Sequence, residues 1–197
     1  WGTKIYAHPP TGMTIEGLTD IATLLGDAAL LEQAGREVRA VLTRPPKLFA
    51  DDGTIVPKGG GPYPFWFTHV HARLAILLGI TKYARATSDR GLLEWCVSCY
   101  RHVRDRMSGS FGWVPESLEE GTDSGVKFLS SRRRDEGCCI SDMMQIADLL
   151  ADNGHPDEVS VIERYGTNQL FAHQHVDFEH CRHLMGGQQG VDTPEVS

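Results

Sequence analysis

The chain has 197 residues, 41% of them hydrophobic and 23% charged, with a formal net charge of −7. That composition suits a globular domain with one sizeable core, and the negative balance argues against nucleic acid or an anionic membrane surface as partner. No apolar run approaches the roughly 20 residues that span a bilayer.

Taken in chain order, the amino end Trp1-Gly2-Thr3-Lys4 carries neither an initiator Met nor the apolar stretch of a signal peptide. It reads as a chain cut at its start, and it assigns no compartment. Beyond His8, Leu18, Ile21, Ala22 and Leu25 fall at helical spacing, followed by Leu31, Ala34, Val38, Val41 and Leu42. A Pro- and Gly-rich loop runs from Arg44 to Phe65, and an aromatic run, Tyr63-Pro64-Phe65-Trp66-Phe67, leads into His69-Val70-His71. A second pair of helices is predicted around Val70, Leu74, Leu77 and Leu78, then Leu93, Cys96, Val97, Tyr100 and Val103. Another long loop, Ser108 to Asp135, is rich in Gly, Ser and charge. The third pair carries Met143, Ile146, Ala147 and Leu150, then Val159, Ile162 and Tyr165. The pattern decays after Phe171. Residues 1–185 therefore form one partial domain, and 186–197 read as a disordered tail.

The pairs are copies of one another. Leu25-Gly26-Asp27-Ala28-Ala29-Leu30-Leu31-Glu32 resembles Thr87-Ser88-Asp89-Arg90-Gly91-Leu92-Leu93-Glu94 at an offset of 62 residues, and Asn153-Gly154-His155-Pro156-Asp157-Glu158-Val159 is a weaker third copy. Asp27 and Asp89 suit the helix start after each turn, where a side-chain oxygen accepts from free N–H groups. The expected fold is all-α, three αα-hairpins that bury their faces only by stacking into a solenoid or a ring. A ring of six such hairpins would need about twice this length, so the chain reads as half of one.

Three stretches could carry chemistry. His69 and His71 beside Trp66 and its aromatic neighbours suit sugar stacking, hydrogen bonding or a metal; a helix start with one capping His is the structural alternative. Gly109-Ser110-Phe111-Gly112-Trp113-Val114-Pro115-Glu116 could present Glu116 as an acid beside an aromatic wall, with Glu119 and Glu120 as competitors. In Asp135-Glu136-Gly137-Cys138-Cys139-Ile140-Ser141-Asp142, carboxylate and thiolate stand two residues apart ahead of a helix, which suits one metal. Small buried cysteines and a Glu at the helix dipole are the alternative there.

The five cysteines, Cys96, Cys99, Cys138, Cys139 and Cys181, are an odd number, against a full disulfide framework. Cys96-x-x-Cys99 falls inside a helix and is expected to pack in the core. His173, His175, His180, Cys181 and His183 lack a metal-finger spacing. Arg132-Arg133-Arg134 reads as a solvated loop.

Together, and in this order, the motifs resemble the β-L-arabinofuranosidase type of (α/α)6-barrel glycoside hydrolase and its relatives, over roughly residues 65 to 175. His69 to Gly79 is similar to that family's His-initiated helix, Thr87-Ser88-Asp89 to its hairpin turn, Gly112-Trp113-Val114-Pro115-Glu116 to its acid-bearing loop, and Glu136-Gly137-Cys138 to its Glu-x-Cys helix start. The resemblance implies a retaining hydrolase of plant or microbial polysaccharide side chains. It implies Glu136 and Cys138 as two zinc ligands, Glu116 as general acid/base, and His69, with His71, Trp66 and His8, as sugar contacts. The family's nucleophile, a zinc-held thiolate from a later Cys-Cys pair, would lie outside this sequence. The expectations that follow are weak zinc binding, no appreciable activity of this chain alone, and association through the open edge of an incomplete toroid. Cys139 is expected to point away from Cys138. A metal-free toroid processing uronic-acid sugars and a non-catalytic helical-repeat scaffold are the alternatives.

Overall fold

The computed structural model describes residues 9–45, 47–56, 69–112, 114–116 and 136–171. Six α-helices dominate them: α1 (Pro9–Leu25), α2 (Ala28–Thr43), α3 (Val70–Ala86), α4 (Arg90–His102), α5 (Gly137–Ala151) and α6 (Val159–Tyr165). Short π-helical turns, Val103–Met107 and Gly166–Leu170, prolong α4 and α6, and a 3-10 turn, Pro156–Glu158, precedes α6. Residues 47–56 fold back on themselves through an isolated bridge between Phe49 and Ile55. The all-α expectation is met.

The three hairpin turns share one mechanism. Gly26, Ser88 and Gly154 take positive φ (67°, 54° and 106°), which ends the preceding helix in a left-handed residue. The next N–H then reaches back five residues: Asp27 to Ala22 (2.9 Å), Asp89 to Ala84 (2.9 Å) and His155 to Leu150 (3.1 Å). Asp27 accepts from the N–H groups of Ala29 and Leu30, and Asp89 from that of Leu92, so both cap the following helix as expected. His155 makes no such bond, and α6 starts through the 3-10 turn instead.

The first helices of the hairpins run parallel and side by side. Gly12 of α1 lies against Ala75 of α3 so closely that a Cβ there would come within 2.3 Å of the Ala75 carbonyl carbon. One further turn along, Lys82 bonds Glu16 and Asp20, each at 2.7 Å. On the other side of α3, His71 bonds Asp142 near the start of α5, and Leu149 shares a cavity wall with Lys82 and Ala86 near its end. α3 is the central member and is buried from Ala72 to Thr81, each large aliphatic side chain there contributing roughly 1.5–3 kcal/mol. Arg73 lies in that core with its guanidinium on the Leu48 carbonyl, and burial lowers its pKa to about 10, so it stays charged at neutral pH.

The apolar faces read from spacing are met on α2, where Ala34, Val38 and Val41 are buried, and on α5, where Met143, Ile146, Ala147 and Leu150 are. They are missed at the ends of the array. Ile21 is 50% exposed, Leu25 68% and Val159 54%. Among the described residues the outer side of an end helix is uncovered, and spacing cannot tell an end helix from a central one.

Candidate metal centre

Because α3 and α5 run parallel, both begin at the same end of the layer, and Glu116 is bonded to Val70 there. His69 is the N-cap residue of α3 and Glu136 that of α5; neither side chain caps its own helix. They bond each other instead, His69 Nε2 lying 2.7 Å from Glu136 Oε2. An ionised carboxylate can only accept, so this ring nitrogen is the donor. His69 is buried and the Glu136 side chain is 28% exposed, so the bond is shielded on one side and open on the other.

The same carboxylate oxygen lies 3.4 Å from Cys138 Sγ and 3.8 Å from Cys139 Sγ. The three donor atoms of Glu136, Cys138 and Cys139 all fall within 4.8 Å of one another, so this group could hold a metal ion. The expectation that Cys139 points away from Cys138 is therefore overturned. That expectation followed from the turn between successive helical residues, but Glu136 is not helical: at φ −125° and ψ 133° it is extended. From there its side chain reaches over the first turn of α5, where both sulfurs meet it.

The donor geometry can be tested against zinc. Zn–S near 2.3 Å and Zn–O near 2.1 Å at a tetrahedral angle put sulfur and oxygen about 3.6 Å apart. The two observed separations lie on either side of that value, and a mixed thiolate and carboxylate set suits zinc better than magnesium or calcium. The two sulfur–oxygen separations are thus compatible with one ion between these donors. Protonation agrees with the geometry: hydrogen bonding from Cys139 is the main cause lowering the Cys138 thiol, His71 adds to it, and burial and Glu136 oppose it. The Cys139 thiol is raised by that same bond and by burial. The two shifts run in opposite directions, so Cys138 is the more readily ionised of the two thiols.

Glu116 enters through its backbone. Its carbonyl accepts from the Val70 N–H at 2.8 Å, which ties residues 114–116 to the start of α3, one residue from His69. His71 stands on that first turn, its ring edge-on to His69 at 5.8 Å between centroids, with Nδ1 2.7 Å from Asp142 Oδ2. Thus His69, His71, Glu136, Cys138 and the Glu116 backbone lie at one end of the array. His8 and Trp66 lie outside the described residues, as do Glu119, Glu120, the Arg132–Arg134 cluster and the His/Cys group after residue 172. Two participants were missed in the sequence, Cys139 and Asp142. Asp142 was legible, since it lies four residues after Cys138 and shares its helix face.

Cys96 and Cys99 are core residues on α4, both 0% exposed; burial pushes the Cys96 thiol up to about 12 and raises that of Cys99 as well. They belong to packing, as expected.

Comparison with known protein families, curated proteins and solved structures finds no match to this chain.

Proposed function

We propose that this chain is the zinc-bearing part of an α/α-toroid glycoside hydrolase, with Glu136, Cys138 and Cys139 as ligands. The observation that carries this reading is the close grouping of one carboxylate and two thiol sulfurs at the start of α5. Three protein ligands leave a fourth position open, the pattern of catalytic rather than structural zinc. His69 holds the Glu136 carboxylate, the outer-shell support that metal ligands commonly receive. When bound, zinc would supply Lewis acidity and keep a thiolate charged at neutral pH.

The residues around it have separable tasks. Glu116, carried on the loop tied to Val70, is the proposed general acid/base, and His71 is a proposed sugar contact. The substrate class, a sugar of arabinofuranoside type, rests on the motif resemblance. Further hairpins would close the toroid, and the exposed side of α1, with Met13, Ile21 and Leu24, is a face they would cover. The metal-free uronic-acid route leaves the two thiols and the carboxylate without a task and is the weaker reading.

The test is metal analysis of the purified chain after dialysis, with cobalt substitution to count thiolate ligands by their charge-transfer absorption. With Cys139 as a third ligand, the weak binding expected from Glu136 and Cys138 alone is replaced by about one zinc per chain, lost in both Cys138→Ser and Cys139→Ser. A chain that retains no zinc, or a Cys139→Ser variant that keeps it undiminished, overturns the proposed ligand set. Calorimetry of the zinc-loaded chain with L-arabinose tests the sugar separately, and binding at around millimolar Kd is expected.

A further inference from the structure

His71 is the second imidazole at this end of the array, and a different carboxylate holds it. Its Nδ1 lies 2.7 Å from Asp142 Oδ2, with the His71 side chain 16% exposed and that of Asp142 9%. Asp142 is not among the grouped metal donors. Packed into the second turn of α5, its carboxylate gains a bond that bridges α5 to α3. A carboxylate accepts and does not donate, so the proton between the two groups is drawn to Nδ1. Among the described residues no group bonds the other ring nitrogen, Nε2. An imidazole held in this way by a carboxylate has a fixed ring plane and a fixed tautomer, so its free nitrogen has one chemical character.

We propose that Asp142 is a positioning residue: it fixes His71 as the Nδ1–H tautomer, so that Nε2 presents a lone pair to a hydroxyl hydrogen of a sugar bound beside Glu136 and Cys138. The identity of the ligand rests on the zinc-glycosidase reading above; the tautomer does not. The arrangement selects for a donor. A ligand offering only acceptors, such as a carboxylate or phosphate, would meet a lone pair at Nε2 and gain nothing from neutral His71. A polyol, with a hydroxyl at almost every carbon, supplies donors wherever the ring is placed.

The experiment is a long-range 1H–15N correlation spectrum of the full chain labelled with 15N, recorded at mildly alkaline pH, where the imidazole is neutral. In the wild type His71 is expected to give the pattern of a single Nδ1–H tautomer. In Asp142→Asn that preference should weaken to a mixture of tautomers, while zinc content stays unchanged, which a merely structural role for Asp142 would not produce. An Nε2–H pattern in the wild type, or a pure Nδ1–H pattern that persists in both Asp142→Asn and Asp142→Ala, overturns the proposal. If neither variant folds, the wild-type spectrum decides by itself. Addition of L-arabinose should move the Nε2 resonance in the wild type and move it less in Asp142→Asn. A fixed tautomer whose Nε2 ignores the sugar removes the role as acceptor and leaves the zinc assignment standing.

Discussion

Gly12→Ala gives a direct test of how α1 seats on α3. A Cβ at position 12 would lie 2.3 Å from the Ala75 carbonyl carbon, and 2.4 Å from both the Ala75 oxygen and the Ile76 nitrogen. Ordinary carbon contacts sit at about 3.5–4.0 Å, so α1 must retreat by more than about 1 Å. The obstacles are backbone atoms of a buried helix and cannot rotate away. Overpacking of this kind costs roughly 1–3 kcal/mol. Replacing Gly by Ala in a helix returns about 1 kcal/mol through propensity, which leaves a net loss of up to about 2 kcal/mol, with the upper part of that range expected because backbone atoms cannot give way. Gly17 on the same helix has nothing within 4 Å of its would-be Cβ. Gly17→Ala should therefore keep the propensity gain and stabilise by roughly 0.5–1 kcal/mol. Urea unfolding followed by circular dichroism measures both, and the midpoints should move in opposite directions with unchanged slopes. A Gly12→Ala chain as stable as the wild type, or shifted in the same direction as Gly17→Ala, would refute the parallel seating of α1 against α3.

Three other outcomes are expected. Glu158 is 0% exposed and takes bonds from Arg101 and Arg104; Glu158→Ala should destabilise by roughly 2–3 kcal/mol in the same urea assay, the value of charge-assisted bonds. Bonding to Asp142 raises the His71 pKa above 6.5 against the opposing effect of burial. The folded chain then holds that proton more tightly than the unfolded one. Its contribution to stability is present in full below pH 6.5 and declines as pH rises through the higher folded value. Wild type should lose stability relative to His71→Gln across that window, and parallel pH profiles would contradict the assignment. Iodoacetamide should modify Cys138 before Cys96 or Cys99, whose thiols are buried and raised, and zinc should slow the reaction at Cys138; peptide mass spectrometry reads both effects.

The hairpins were legible because their signals are local. A positive-φ residue followed by Asp, with apolar residues at helical spacing on either side, specifies a turn and two helices without knowledge of the rest of the chain. Asp27 and Asp89 cap as read for that reason. What surrounds a helix is not local information, so spacing places Ile21 and Leu25 on a buried face, whereas among the described residues nothing covers them. At the site, Glu136 and Cys138 could be singled out from their spacing, whereas Cys139 depended on a backbone detail, the extended Glu136 ahead of the first turn. His69 and His71 could be marked as unusual, but their carboxylate partners lie 67 and 71 residues away, a pairing that only the parallel packing of α3 and α5 creates.

That separation has a kinetic consequence. Each hairpin closes over a short turn and can form early, at little loop-closure cost. The bonds His69–Glu136 and His71–Asp142 both cross between the second and third hairpins, so the centre assembles only when those two units dock. It should also be among the first features lost when they part, while the helices themselves persist. Hydrogen exchange would then show the start of α5 opening in a step smaller than global unfolding. Substitutions at the Arg101–Glu158 contact, which joins the same two hairpins and includes none of the centre's residues, would loosen the site.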